Sequence, residues 1–145
     1  MNTFKHILVP TDFGPASAEA VQLAVTLADK FGSELTLLHV WEIPVYPYME
    51  FVLESGPLID SVEKAAMHRL GEALRDVQKH VPGAKSLLKM GLAWQQIVEI
   101  IGAITPDVVI MGTHGRRGLT HALLGSVAEK VVRLSPVPVL TTHAR

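Results

Sequence analysis

Short apolar runs rich in β-branched residues alternate along this chain with longer stretches whose apolar residues recur at helical spacing. A run that is apolar without interruption indicates a strand buried on both faces, because a half-buried strand would alternate with polar residues. Five runs are predicted as strands: 6–9, 35–40, 86–90, 107–111 and 137–141. Four helices are predicted between them: 15–31, 59–77, 97–104 and 126–134. Regular alternation of strand and helix is typical of βαβ units, so the sequence predicts an α/β fold with a mostly parallel sheet.

Glycine and proline mark several boundaries of these elements. Gly14 and Pro15 open the first helix, and Gly32 is predicted to end it in the left-handed conformation. Residues 41–57 contain three prolines and are predicted to form an irregular connection. Pro138 lacks a backbone donor, which places the last strand at an edge of the sheet or where no donor is needed.

Composition excludes several classes of function. The chain has 145 residues, a length typical of one domain, and we expect residues 1–145 to form a single domain. Its 13 basic and 14 acidic residues nearly cancel, which argues against nucleic-acid binding and against a polybasic membrane anchor. The absence of cysteine excludes disulfides and thiolate chemistry. No apolar run reaches the roughly 18 residues of a membrane span, so we expect a cytoplasmic protein.

Unusual loops follow two of the predicted strands. Residues 10–12 follow the first strand, and residues 112–118 follow the fourth and lead through Gly125 and Ser126 into a helix. Ligands of open parallel sheets bind beyond the carboxyl ends of the strands. We therefore expect the ligand site at these two loops.

The residue types in the loops are those of a phosphate site. Glycines allow a ligand to approach the backbone closely, and the helix start at Gly125 and Ser126 favours an anion. Arg116 and Arg117 could add charge-assisted hydrogen bonds to phosphate. Asp12 could bond a ribose or hold a hydrated Mg²⁺. Together these residues predict a nucleotide site without a Walker loop or a GxGxxG sequence.

Each of these residues also has a purely structural explanation. The glycines could only make turns, and Asp12 could cap the turn before the first helix. Ser126 and Glu129 have the spacing of a capping box, which would occupy the serine hydroxyl. His114 and His121 have no partner at zinc-ligand spacing, so zinc is not expected.

The glycine pattern resembles that of a known family. Gly112-x2-Gly115-x9-Gly125-Ser126 is similar to the ATP-binding motif of universal stress proteins, and residues 7–13 are similar to the first strand and aspartate-bearing turn of that family. Residues 37–40 and 136–140 resemble its second and last strands. Because every glycine of the motif is present, the chain resembles the ATP-binding branch.

The resemblance implies a fold and an assembly. The fold would be a Rossmann-like open sheet of five parallel strands in the order 3-2-1-4-5, which brings the two loops into one crevice. The protein would be a homodimer joined through its C-terminal strand.

The resemblance also implies a ligand and its contacts. ATP would bind with Mg²⁺ or Mn²⁺, and Asp12 would contact the ribose and the metal-linked phosphates. The remaining implied contacts are grouped by the part of the nucleotide they meet. They are Pro10 and Val40 at adenine, Met111 and Gly112 at the nucleoside, and Gly115, Gly125, Ser126 and Val127 at the phosphates. Thr11, in the aspartate turn, and Arg116, from its charge, complete the predicted site.

Three functions follow from this interpretation. The first is a dimeric stress-response or signalling module that binds an adenine nucleotide and has no catalytic residue. The second is a slow ATPase or autophosphorylating phosphotransferase, in which Asp12, a metal and His114 or Arg116 act on the γ-phosphate. The third is an interaction protein that binds no nucleotide and whose glycine loop is structural.

Overall fold

The computed structural model describes residues 4–43, 56–114 and 124–145. The strands and helices within these residues follow in strict alternation. In chain order they are β1 His6–Pro10, α1 Pro15–Phe31, β2 Glu34–Trp41, α2 Pro57–Gln78, β3 Lys85–Met90, α3 Ala93–Ile104, β4 Val108–Gly112, α4 Ser126–Leu134 and β5 Val139–Thr142. The five strands and four helices appear in the predicted order. Of the connection predicted at 41–57, residues 44–55 lie outside the described part of the chain.

Every element except α1 and α4 differs from the prediction at one boundary or more, and two of these differences have a clear local cause. The third helix begins at Ala93, not at residue 97, because Leu92 is the extended N-cap residue and the first turn precedes the isoleucine stripe. The last strand begins at Val139, just after Pro138, and not at residue 137. In both places the apolar pattern marked which residues are buried and not where the backbone geometry changes.

All five strands are parallel and form one sheet in the order β3-β2-β1-β4-β5. This confirms the Rossmann-like α/β fold and the strand order 3-2-1-4-5 implied by the resemblance. It also confirms that β5 is an edge strand. Strands β2 and β3 lie on one side of β1, and β4 and β5 lie on its other side. The strand order therefore reverses between β1 and β4.

Both faces of the sheet are covered, which explains the uninterrupted apolar runs. Ile7 and Val9 are fully buried in a cluster with α1 and α2, whereas Leu8 is fully buried in a cluster with α3 and α4. Small side chains at Ala20 and Ala24 form the buried face of α1 against the sheet. Burial of all these side chains removes apolar surface from water on each side of the central strand, which stabilises the fold.

The ends of α1 follow the local signals in the sequence. Pro15 occupies the first turn, and Gly32 ends the helix with φ 66° while its N–H donates to the Ala28 carbonyl. The predicted left-handed cap at Gly32 is therefore confirmed. Among the helices in the described ranges, none combines the length and the hydropathy that crossing a membrane requires.

Candidate functional site

A cleft of about 180 Å³ opens at the carboxyl ends of β1 and β4, where the strand order reverses. Nine of the residues predicted for the site line this cleft. They are Pro10, Thr11, Asp12, Val40, Met111, Gly112, Gly125, Ser126 and Val127. Gly115 and Arg116 lie outside the described residues. The fold thus brings the described parts of the two predicted loops together in one crevice.

A second groove, of about 950 Å³, runs between α1 and α2. It is larger, but Thr11 is the only residue of the predicted site among the described residues that line it. The smaller cleft is therefore the candidate site, because it lies where open parallel sheets bind ligands and contains the predicted residues.

The cleft has an apolar side and a polar side. Leu38, Ala93 and Ile97 extend the apolar side, and sequence reasoning missed them as site residues. Ala93 and Ile97 lie one helical turn apart, so the period of α3 was the signal that could have indicated them together. The polar side adds Ser17, Thr113 and His114, of which the sequence had singled out His114 alone.

The Asp12 carboxylate is held by the turn between β1 and α1. Its Oδ1 accepts hydrogen bonds from the Gly14 N–H at 2.8 Å and from the Ser17 hydroxyl at 2.6 Å. Ser17 is buried, at 4% exposure, so this donor is shielded from competing water. The structural explanation for Asp12, that it caps the turn before the first helix, is therefore confirmed. The same bonds fix the carboxylate at the edge of the cleft.

The residues on either side of Asp12 are held as well. The Thr11 N–H donates to the Leu38 carbonyl at 2.8 Å, and the Phe13 N–H donates to the Thr11 hydroxyl at 3.1 Å. Phe13 has φ 64°, a left-handed conformation that is uncommon for a bulky residue. Strain of this kind persists only where the surrounding contacts determine the conformation.

Gly112 is required by close packing between β4 and α1. A Cβ atom at this position would lie 2.7 Å from both the Ala16 carbonyl carbon and the Ser17 nitrogen. Both are backbone atoms of the first turn of α1, which cannot move aside as a flexible side chain could. The glycine therefore brings the end of β4 against the helix that carries the Asp12 turn.

Gly125 has a similar steric role at the start of α4. Its added Cβ would lie 2.6 Å from the Thr113 carbonyl oxygen. Neither Gly112 nor Gly125 has the positive φ of a glycine that makes a tight turn, since among described glycines only Gly32, Gly56 and Gly91 do. The alternative that Gly112 only makes a turn is therefore wrong, because close backbone approach is what requires it.

The N-terminus of α4 faces the cleft without a side-chain cap. Gly125 is the N-cap residue and Ser126 is the first helical residue, so the predicted capping box is wrong by one position. The Glu129 carboxylate instead pairs with Arg133 at 3.3 Å. Because glycine has no side chain, no N-cap group occupies the first N–H groups of the helix, and its positive dipole end adds to their attraction for an anion.

Thr113 connects the cleft to the C-terminal strand. Its hydroxyl lies 2.9 Å from His114 Nδ1, 3.0 Å from His143 Nδ1 and 3.0 Å from the Thr142 carbonyl. Thr113 is 1% exposed, so these contacts are shielded from water. Among the described residues, no three His, Asp or Glu side chains form a metal-binding group.

The model of the universal stress protein family matches residues 3–143 of this chain. The chain belongs to the universal stress protein family. Its relatives include universal stress protein MJ0531 of Methanocaldococcus jannaschii, which is 35% identical over 144 residues that cover 96% of this chain and 82% of that protein. The solved structure of protein MJ0577 of the same organism has a TM-score of 0.85 at 28% identity and covers 99% of each chain.

Two solved structures of this fold contain adenine nucleotides. A universal stress protein family member from Arabidopsis thaliana with AMP bound has a TM-score of 0.66 at 17% identity, covering 97% of this chain and 92% of that one. A universal stress protein in complex with cAMP has a TM-score of 0.67 at 19% identity, covering 99% and 100%. At these identities the similarity is one of fold.

Proposed function

We propose that this universal stress protein binds ATP, with Mg²⁺ or Mn²⁺, in the cleft between the ends of β1 and β4. Nucleotide occupancy would then control a dimeric stress-response or signalling module. One observation carries the proposal: the cleft joins a hydrogen-bonded carboxylate, Asp12, to the N-terminus of α4, which has no side-chain cap, and to apolar side chains of β2 and α3. This is the division of polarity that a nucleotide has between its base and its phosphates.

The apolar side of the cleft suits the base. Pro10 and Val40 come from the ends of adjacent strands, and Ile97 lies at 3% exposure on α3. Adenine buried against these side chains would remove apolar surface from water. Met111 and Gly112 follow at the end of β4, where the nucleoside would lie.

The helix N-terminus suits the phosphates. Gly125, Ser126 and Val127 line the cleft at the start of α4, where backbone N–H groups and the helix dipole favour an anion. Ser126 is exposed, and its hydroxyl is available in addition to the backbone donors. Gly115 and Arg116 are proposed to complete the phosphate site, on the basis of the sequence motif.

Asp12 is the only carboxylate among the described residues that line the cleft. One carboxylate together with phosphate oxygens and water is a usual ligand set for Mg²⁺, which retains several waters when it binds a nucleotide. Asp12 is therefore proposed to contact the metal and the ribose. The AMP and cAMP found in two distant structures of the fold are consistent with an adenine nucleotide here.

The test begins with the nucleotide content of the purified protein. Denaturation followed by mass spectrometry should release adenine nucleotide in near-stoichiometric amount, and Mg²⁺ with ATP at about 100 times Kd should stabilise the emptied protein by about 2.7 kcal/mol. Asp76→Asn is the matched control for Asp12→Asn, because Asp76 is 75% exposed and pairs with Lys79 away from the cleft. No released nucleotide together with an unchanged melting temperature would refute the proposal.

A slow ATPase or autophosphorylating phosphotransferase is the second candidate function. The observation that favours it is His114, whose Nδ1 is bonded to Thr113 while the residue lines the cleft. Phosphate release or self-phosphorylation that is lost in both Asp12→Ala and His114→Ala would establish it. Turnover no faster than a protein-free blank would exclude it.

The third candidate, an interaction protein without a nucleotide, rests on the packing of the glycines. Gly112 and Gly125 are both required by backbone contacts, so their presence does not depend on a ligand. This candidate predicts that ATP neither binds nor alters assembly. The nucleotide-release experiment separates it from the first.

A homodimer through β5 is proposed for the assembly. β5 is an edge strand, and exposed apolar side chains lie on it and on the neighbouring helix α4, with Leu140 at 39%, Val132 at 43% and Leu134 at 47% exposure. An unpaired strand edge is a template for pairing with another strand. Sedimentation should show a dimer that Leu134→Lys weakens, and a wild-type monomer at tens of micromolar would contradict the proposal. The cytoplasmic location and the single domain over 1–145 stay predictions.

A further inference from the structure

We propose that Phe13, through contacts of its ring with Arg69 and His39, is a positioning residue that sets the orientation of Asp12 towards the sugar of the bound nucleotide. These three residues form the Phe13 cluster. The inference rests on the proposed nucleotide function, and it assigns a role to residues outside the cleft. Arg69 lies on α2 and His39 on β2, so the cluster joins two further elements to the Asp12 turn.

The backbone of Phe13 is in a conformation that its own residue type disfavours. At φ 64° the Cβ atom crowds the following carbonyl, and aspartate, asparagine or glycine would be the ordinary occupants. The hydrogen bond from the Phe13 N–H to the Thr11 hydroxyl, at 3.1 Å, is one contact that holds it. The ring supplies the others.

The ring of Phe13 meets a cation and a second aromatic ring. The Arg69 guanidinium carbon lies 4.5 Å from the centre of the ring, within the range of a cation–π interaction. The His39 ring lies 4.4 Å away between centroids, at an interplanar angle of 45°. These contacts fix the side chain of Phe13, and through it the backbone of the turn.

His39 also holds the other neighbour of Asp12. Its Nδ1 lies 2.7 Å from the Thr11 carbonyl oxygen, and because a carbonyl can only accept, Nδ1 carries the proton and donates. His39 is 8% exposed, so the bond is shielded from water. The residues before and after Asp12 are therefore both attached to the Phe13 cluster, and Asp12 lies between two fixed points.

Phe13 acts through the turn and not by contact with the ligand. Among the described residues it lines the groove between α1 and α2 and does not line the cleft. Loosening of its ring would leave every lining residue in place but would let the Asp12 carboxylate turn. The proposed hydrogen bond to the ribose would weaken first, because the strength of a hydrogen bond depends steeply on its angle.

The test compares variants that separate conformation from packing. Phe13→Ala and Phe13→Gly both remove the ring, but only glycine adopts positive φ without strain. Phe13→Ala should therefore bind ATP about 3- to 5-fold more weakly than Phe13→Gly. Arg69→Met should raise the Kd for ATP about 2- to 5-fold, and Arg69→Lys, which keeps the cation, should stay closer to wild type. Arg69 is exposed, so its variants are expected to fold.

The decisive readout is discrimination of the sugar. We would measure Kd for ATP and for its 2′-deoxy and 3′-deoxy analogues. The Kd of each analogue is divided by the Kd of ATP, and the larger of the two ratios is used. This ratio should fall towards 1 in Phe13→Ala and Arg69→Met and stay near the wild-type value in Arg69→Lys. A purely structural role would lower the melting temperature and leave the ratio unchanged, which would overturn the proposal.

A second readout needs no nucleotide. Exchange of the Gly14 amide, which is bonded to Asp12, should become about 2- to 5-fold faster in Arg69→Met, while exchange of the Leu8 amide in β1 stays constant. If the wild-type protein binds no nucleotide but Gly14 exchange responds, the proposed function fails and the positioning role of the Phe13 cluster stands. Unchanged Gly14 exchange would overturn the positioning role.

Discussion

Replacement of Gly112 by alanine should destabilise the protein. The new Cβ would lie 2.7 Å from two backbone atoms of α1, 0.7 Å short of the 3.4 Å at which ordinary contact begins. Overpacking of this kind costs typically 1–3 kcal/mol, and backbone neighbours favour the upper part of that range. For a chain of this size, about 2–3 kcal/mol corresponds to a melting temperature lower by about 6–12 °C.

The same substitution should weaken nucleotide binding. Ala16 and Ser17 belong to the first turn of α1, and Ser17 holds the Asp12 carboxylate, so a displaced helix moves the carboxylate with it. Differential scanning calorimetry without ligand measures the stability, and calorimetric titration with ATP and Mg²⁺ measures the affinity.

Gly102→Ala is the matched control. Gly102 lies within α3, and an added Cβ there meets no atom within 4 Å. Alanine in a helix interior is favoured over glycine by about 0.5–1 kcal/mol, so this variant should melt about 2–4 °C higher than wild type. A Gly112→Ala protein that melts within 1 °C of wild type would refute the packing argument.

Further predictions concern the turn, the start of α4 and the buried threonine. Asp12→Asn keeps an oxygen for the Gly14 and Ser17 donors, so its free energy of unfolding should stay within about 0.5 kcal/mol of wild type. Its affinity for ATP with Mg²⁺ should nevertheless fall about tenfold or more. Asp12→Ala should lose the same affinity and also about 1–3 kcal/mol of stability. Equal melting temperatures for these two variants would contradict the role of the turn. Gly125→Ala should lower the stability by about 1–3 kcal/mol. It should also lower the part of the affinity that depends on phosphate, measured as the affinity for ATP divided by the affinity for adenosine. Thr113→Val removes a hydroxyl bonded to the end of β5 and should cost about 1–2 kcal/mol in thermal or urea unfolding; no loss would show that the bond is not stabilising.

The order of strands and helices could be predicted because burial leaves a periodic record in the sequence. Ile7, Leu8 and Val9 are consecutive and all buried, since successive side chains of β1 enter the clusters on opposite faces of the sheet. Only a strand covered on both faces permits such a run. The strand order, in contrast, came from the family resemblance, because periodicity does not record which strands are neighbours.

Much of the cleft could be predicted because loops at the carboxyl ends of neighbouring parallel strands must meet. The detailed role of the glycines could not. Gly112 and Gly125 are needed where backbones approach closely, and that approach depends on how α1 and α4 pack and not on the local sequence. The same packing places Gly125 at the N-cap and makes the capping box predicted for Ser126 and Glu129 wrong.

Ser17 and Phe13 left no signal that could have been used. A serine in the first turn of a helix is common, and only the path of the turn brings its hydroxyl to 2.6 Å from Asp12. Phenylalanine at positive φ runs against local preference. Tertiary contacts from α2 and β2 determine its conformation, so it becomes visible only in the folded structure.

The most direct test of the central proposal is a calorimetric titration of nucleotide-free protein with ATP in the presence of Mg²⁺. We expect saturable binding of one ATP per chain, with affinity reduced about tenfold or more by Asp12→Asn and unchanged by Asp76→Asn. No binding heat at several temperatures up to millimolar ATP, with no shift in melting temperature, would contradict it.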